Sequence, residues 1–221
     1  MADPLQDTLI REIDEDLRRE KFAKLWKSYG GYVAAAAVSL VVGVAGYQGW
    51  YTYDLNRREA DGEELVKAMT LSGDDPTAAL EALRSIAGSD HGYAILARLQ
   101  EAALLAKGGD REAALALYQR LEAEVDDPIY RDLAVVLGAS LRLENAGSPV
   151  DRDWLVQKLQ PIAAEGNPWR FSARELIGIL ALRAGDTAKA GEVFSSLAAD
   201  LQAPPEMRAR ATELLAVAQG K

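Results

Sequence analysis

The chain has 221 residues and a net charge of −9, with 25 Lys and Arg against 34 Asp and Glu, a balance that argues against a nucleic-acid-binding surface. Cysteine is absent and His91 is the only histidine, which excludes thiol chemistry, disulfides, iron–sulfur clusters and any two-histidine metal site within one copy. Alanine is in large excess while Phe and Pro are scarce, at 3 and 8, a composition that favours helices packed closely through small side chains.

Residues 1–27 are a charged segment in which Leu9, Ile13, Leu17, Phe22, Leu25 and Trp26 recur at about helical spacing. This predicts a short amphipathic helix on the cytoplasmic membrane face. Residues 28–53 carry no charge at all, although 27% of the chain is charged. The apolar centre from Tyr32 to Tyr51 is 20 residues long, and at about 1.5 Å per residue it measures about 30 Å, the thickness of a bilayer's hydrocarbon core. Tyr29 and Tyr32 flank one end, and Tyr47, Trp50, Tyr51 and Tyr53 the other, as expected of rings at the two headgroup levels. A single transmembrane helix over 28–53 is therefore expected. Cleavage after Gly43-Val44-Ala45 is the rival reading, but it needs an unusually long leader rich in acids, and those acids also disfavour a mitochondrial transit peptide.

Six basic residues lie in 11–27 (Arg11, Arg18, Arg19, Lys21, Lys24, Lys27) against three in 54–70 (Arg57, Arg58, Lys67). The asymmetry puts the N-terminus in the cytoplasm and residues 54–221 outside it, which in a bacterium is the periplasm. Along the span, Gly31, Ala35, Ser39 and Gly43 recur every four residues, a face on which another transmembrane helix can approach closely. An alanine-rich span with small residues on every side gives the same pattern.

From Asp54 onward the periodicity is helical, and no segment alternates as a strand does. Turn signals at Gly73-Asp74, Gly109-Asp110, Gly147-Ser148 and Gly185-Asp186 recur at a nearly constant interval. LLAKGGDREAALALYQRLEAE (104–124) overlays LALRAGDTAKAGEVFSSLAAD (180–200) at an offset of 76, matching Leu104 to Leu180, Asp110 to Asp186, Ala114 to Ala190, Tyr118 to Phe194 and Leu121 to Leu197. Each turn glycine is expected to end one helix in the left-handed region, each Asp to cap the next, and each aromatic ring to fill the gap between layers. The third unit is less regular, and Pro161 is expected to bend or end its second helix.

Helix pairs with a period in the mid-thirties resemble tetratricopeptide repeats. In that register the small residues are Ala102 or Gly178 and Ala114 or Ala190; where a Trp is frequent, this chain carries Arg98 and Arg174. The expected fold is all-α: one N-terminal transmembrane helix, then a tetratricopeptide-like α-solenoid of about four helix pairs over 54–221, closed by a capping helix near Met207–Gln219. The order of segments, the stretch REIDEDLRREKFAKLWKSYGGY leading into the span, and the repeat spacing together resemble the YfgM family of tetratricopeptide-like inner-membrane proteins. The resemblance implies association with the SecYEG protein-export channel and with a membrane-anchored periplasmic chaperone and prolyl isomerase.

No phosphate loop, dinucleotide fingerprint or nucleophile elbow occurs. Asp74-Asp75, Asp126-Asp127 and Asp151-Arg152-Asp153 lack the register of a calcium loop and read as helix caps. No catalytic partner is recognisable for His91. The chain thus reads as a non-enzyme with no cofactor, metal or small-molecule substrate. The repeat register puts Leu99, Ala103 and Lys107, then Leu137, Leu141 and Asn145, then Glu175, Ile179 and Arg183 on the concave face formed by first helices. These residues either receive an apolar segment or helix of a partner, or pack between neighbouring repeats. An adaptor at the export channel is the leading function; a structural scaffold for cell division or outer-membrane biogenesis needs the same parts.

On the basic asymmetry, a reporter active only in the periplasm is expected to be active when fused after Lys221, and the intact chain to resist alkaline extraction from membranes. A soluble product beginning near Gly46 would show cleavage instead.

Overall fold

The structure is a computed structural model that describes residues 4–89, 92–143 and 149–220, with side chains from residue 23 onward except those of 149 and 150. His91, Asn145 and the Gly147-Ser148 turn lie outside the described residues. Among the described residues there is no strand, and the helices are α1 (Pro4–Asp74), α2 (Pro76–Ala87), α3 (Tyr93–Lys107), α4 (Arg111–Glu124), α5 (Pro128–Leu143), α6 (Pro149–Leu159), α7 (Arg170–Arg183), α8 (Thr187–Ala199) and α9 (Pro205–Ala218). They fall into two compact units, residues 1–59 and 60–221.

In the first unit α1 runs without a break through the positions expected to separate an amphipathic helix from a span. Its apolar stretch is a helix long and apolar enough to cross a membrane, and nearly all of it is uncovered by protein. Val38, Leu40, Val41, Val42 and Val44 are all exposed. Tyr47 and Tyr51 stack one turn apart with ring centroids 6.3 Å apart.

The second unit is a stack of helices, each packed on the next. Leu65 and Ala68 of α1 share a core with Ala79, Leu83 and Ile86 of α2 and with Ala97 and Leu104 of α3. Leu99 and Ala102 of α3 meet Tyr118 and Leu121 of α4 and Ala134 of α5. Val136 and Ala139 of α5, Leu155 and Leu159 of α6, and Ala173, Leu176 and Leu180 of α7 form the next layer. Farther along, Phe171 and Leu197 pack on Ala211, while Ala190 and Phe194 pack on Ala218, so α9 covers the last pair.

The turns explain why the chain folds back where it does. Gly109 has φ +92° and Gly185 has φ +78°, the left-handed region that glycine enters without a Cβ penalty. At each, two N–H groups satisfy carbonyls of the last helical turn: Gly109 to Ala106 and Asp110 to Leu105, Gly185 to Leu182 and Asp186 to Ala181, the pattern of a Schellman stop. Asp110 then accepts from the Ala113 N–H (3.2 Å) and Asp186 from the Lys189 N–H (2.9 Å), capping α4 and α8. The first turn differs from the expectation. Gly73 lies inside α1, which continues to Asp74, and Asp75 caps α2 by accepting from Ala78 N–H, with Pro76 as first residue. The Pro ring fixes the start of α2 without a left-handed glycine. α6 ends at Leu159, and Pro161 lies in the turn that follows it.

Glycine also sets the helix spacing. A Cβ on Gly178 of α7 would lie 2.6 Å from Phe194 Cε1, and one on Gly138 of α5 would lie 3.3 Å from Tyr118 Cβ. Phe194 is fully buried and has no room to yield. Gly178→Ala is therefore expected to destabilise the domain by about 1–3 kcal/mol through overpacking, and Gly138→Ala by less; chemical denaturation of the purified chain measures both.

Candidate functional site

The residues expected on the concave face divide by environment. Leu99 is buried, and Leu137 and Leu141 are half-buried against the same cluster. Ile179 is half-buried between the α5–α7 core and the Phe194 cluster. Glu175 accepts two bonds from Arg210 of α9, at 2.8 Å from Nε and 3.0 Å from the second terminal nitrogen, and this pairing holds the Arg210 pKa up. Arg183 donates to the Leu143 carbonyl. Ala103 and Lys107 are exposed, and Lys107 has no side-chain partner among the described residues. The structure thus joins Leu99, Leu137 and Leu141 in one apolar cluster and gives Glu175 and Arg183 partners on neighbouring helices. On the apolar stretch of α1, Gly31, Ala35, Ser39 and Gly43 are exposed, and a Cβ on Gly31 or Gly43 would meet nothing within 4 Å.

The two arginines at the positions where tryptophan is frequent make a three-part contact. Arg98 donates to the Ala87 carbonyl from Nε (3.3 Å) and from a terminal nitrogen (3.1 Å), and its other terminal nitrogen lies 3.5 Å from Glu124. Arg174 repeats this two helix pairs further along: Nε to the Ala163 carbonyl at 3.0 Å and a terminal nitrogen 3.6 Å from Asp200. Ala87 is the last residue of α2, and Ala163 ends the turn that extends α6, with Ala163 N–H bonded to Leu159 O. Each guanidinium therefore sits at the carbonyl end of the preceding repeat, where a helix carries partial negative charge, and reaches an acid at the end of its own repeat's second helix. The offset of 76 was legible in the sequence; that the arginine bridges three helices was not, because its acceptor is a backbone carbonyl that no residue type announces. The clefts beside the two arginines share this register: one of about 400 Å³ is lined by Arg84, Ala87, Arg98, Leu117 and Arg120, the other, of about 280 Å³, by Gln160, Ala163, Arg174, Val193 and Ser196.

Glu101, buried beside Arg98, is paired with Arg84 Nε at 2.8 Å, the partner a buried carboxylate requires. Burial also raises the Tyr118 pKa above its ordinary value, because the phenolate would have to form in the core. No cluster of three or more His, Cys, Asp and Glu suited to a metal ion occurs among the described residues. What the surface offers is helix faces and clefts with mixed charge.

A family model described as a tetratricopeptide repeat-like domain matches residues 23–209. No curated protein and no solved structure matches the chain.

The arginine bridge generates a stability prediction. Arg98→Leu and Arg174→Leu each leave a helix-end carbonyl without its side-chain donor and an acid with one ion pair fewer, and each is expected to cost about 1–3 kcal/mol in denaturant unfolding. Lys at either position is expected to recover only part of that loss, since an ammonium cannot hold the carbonyl and the acid in one plane.

Proposed function

The chain belongs to the tetratricopeptide repeat-like family, and from that premise we propose that it is a non-enzymatic, membrane-anchored adaptor whose repeat domain binds other proteins. Such repeat domains are typically interaction modules rather than enzymes. The observation that carries the anchored part is the uncovered apolar stretch of α1, bounded by aromatic residues at both ends. A bilayer is the surroundings that such a stretch fits. With the basic asymmetry of its flanks, the N-terminus lies in the cytoplasm and the repeat domain in the periplasm of a bacterium.

The resemblance to the YfgM family supports a place beside the SecYEG channel and a periplasmic chaperone with prolyl isomerase activity. A tethered domain stays at high local concentration near the channel exit, so weak individual contacts suffice. The face formed by Gly31, Ala35, Ser39 and Gly43 is the proposed contact within the membrane, and Ala103 and Lys107 are the open positions of the proposed face on the repeat domain.

Photocrosslinking in native membranes tests this reading. With the crosslinker at Ala35 or Ser39, adducts to channel subunits are expected; at Ala103 or Lys107, adducts to a periplasmic chaperone or to chains in export. Adducts confined to cell-division or outer-membrane assembly proteins would establish the scaffold instead, and the absence of protein adducts at all four positions would overturn the adaptor.

A further inference from the structure

The third helix pair departs from the others, and a cleft opens there. It has a volume of about 300 Å³ and lies among α4, α5 and α6, with Leu115, Leu141 and Leu155 as its apolar lining and Trp154 and Arg142 at its side. Trp154 remains 40% exposed, unusual for the largest apolar side chain of a repeat domain. Two cations stack on its ring: Arg142 at 5.2 Å and Lys158 at 5.7 Å from the centroid. Lys158 is committed to an ion pair with Glu122. Arg142 has no hydrogen bond and no carboxylate partner among the described residues. The Trp154 indole N–H likewise has no protein acceptor among them, whereas that of Trp169 donates to the Ile129 carbonyl at 2.8 Å.

Among the described residues, one place therefore holds a guanidinium over an indole ring with no carboxylate partner, an indole donor without a protein acceptor, and an apolar floor. Arg111, Glu112 and Asp151 also line the cleft; Arg111 is engaged with the Leu141 carbonyl at 2.7 Å, Arg111 and Asp151 each hold a further partner, and Glu112 makes no ion pair with Arg142 among the described residues. Buried or half-buried guanidinium groups bind carboxylates in two-point geometry, and tryptophan and arginine are the side chains that most often carry binding energy at protein interfaces. The cleft is at the lower end of ligand-pocket size, so it admits side chains of a peptide rather than a folded domain.

We infer that the Trp154–Arg142 cleft is a further, peptide-binding site of the repeat domain beside the Ala103–Lys107 face, and that its ligand is an acidic-apolar segment of a partner protein. An Asp or Glu of the segment pairs with Arg142, and the neighbouring apolar side chain covers Leu115 and Leu141 beside the indole. This rests on the adaptor reading and gives it a specificity: partners are selected for acids beside aliphatic residues, and basic segments are refused.

The test uses the full chain in nanodiscs and a short fluorescein-labelled peptide of alternating Leu and Glu, read by anisotropy, with an alternating Leu and Lys peptide as control. The Leu–Glu peptide is expected to bind and the Leu–Lys peptide not to. Arg142→Gln and Trp154→Ala are each expected to weaken binding about tenfold or more, and Glu112→Gln to tighten it about twofold by removing a like charge. Trp154→Phe guards against a folding defect, because it keeps an aromatic ring at the position while removing the indole donor; it is expected to weaken binding at an unchanged thermal midpoint. Unchanged affinity in Arg142→Gln, or equal binding of the Leu–Lys peptide, would overturn the inference. A photocrosslinker at Glu112 separates it from the reading beneath: adducts at Ala103 or Lys107 with none at Glu112 would overturn the cleft and leave the adaptor, whereas Arg142-dependent peptide binding with no adduct at any position in membranes would support the cleft and count against the adaptor.

Discussion

The closest helix contacts of the repeat domain depend on one steric condition: a buried ring on one helix faces a position on the other that has no side chain to oppose it. Phe194 lies against Gly178 and Tyr118 against Gly138, and Ala102, Ala114 and Ala190 are fully buried around them. With these small residues the helix backbones come close, and the ring fills the space that the absent side chains leave. A methyl group at Gly178 would force Phe194 or its helix to move, and one at Gly138 would press on Tyr118 less severely. The alanine excess of the sequence is the compositional trace of this condition.

Close approach solves the apolar half of the packing problem and leaves the helix ends to be satisfied. The left-handed glycines at 109 and 185 satisfy the carbonyls within their own turns. Between repeats the work falls to arginine, with Arg98 and Arg174 each holding the terminal carbonyl of one repeat and an acid of the next. Arg111 and Arg183 treat the end of α5 in the same way, donating to the carbonyls of Leu141 and Leu143. A tryptophan at the first-helix position would fill a gap by area; an arginine there spans it with directed bonds and keeps the edge of the stack polar. In the third pair α6 is short and ends before Pro161, and the space beside it is where Trp154 remains open.

The apolar stretch of α1 follows a different rule. A helix that faces protein on one side alternates apolar and polar faces, but this one is apolar all round and carries no charge from 28 to 53, which is the pattern of a helix whose solvent is hydrocarbon. Its small residues and aromatic ends lie on an uncovered apolar helix long enough to cross a membrane, whereas the same residue types in the repeat domain are a matter of packing between layers.

Much of this was legible from the sequence because it depends on local chemistry. The charge-free run, the left-handed glycines at 109 and 185, the Asp caps beside them and the offset of 76 follow from residue types at fixed spacing, and each forms through bonds spanning a few residues. Gly73 carries the same local signal yet lies within a helix, since Asp75 and Pro76 start the next helix just beyond it and a left-handed stop is not needed. The fate of the face residues was not legible. Leu99, Leu137 and Leu141 fit an open groove and a closed core equally well by register, and only the approach of α4 and α5 decided that Leu99 is covered. The same holds for Arg142 and Trp154, which belong to successive helices and are brought into stacking contact by the way α5 and α6 pack. Sequence determines which helices form and where they stop; the distances between helices decide which of their side chains remain available to another molecule.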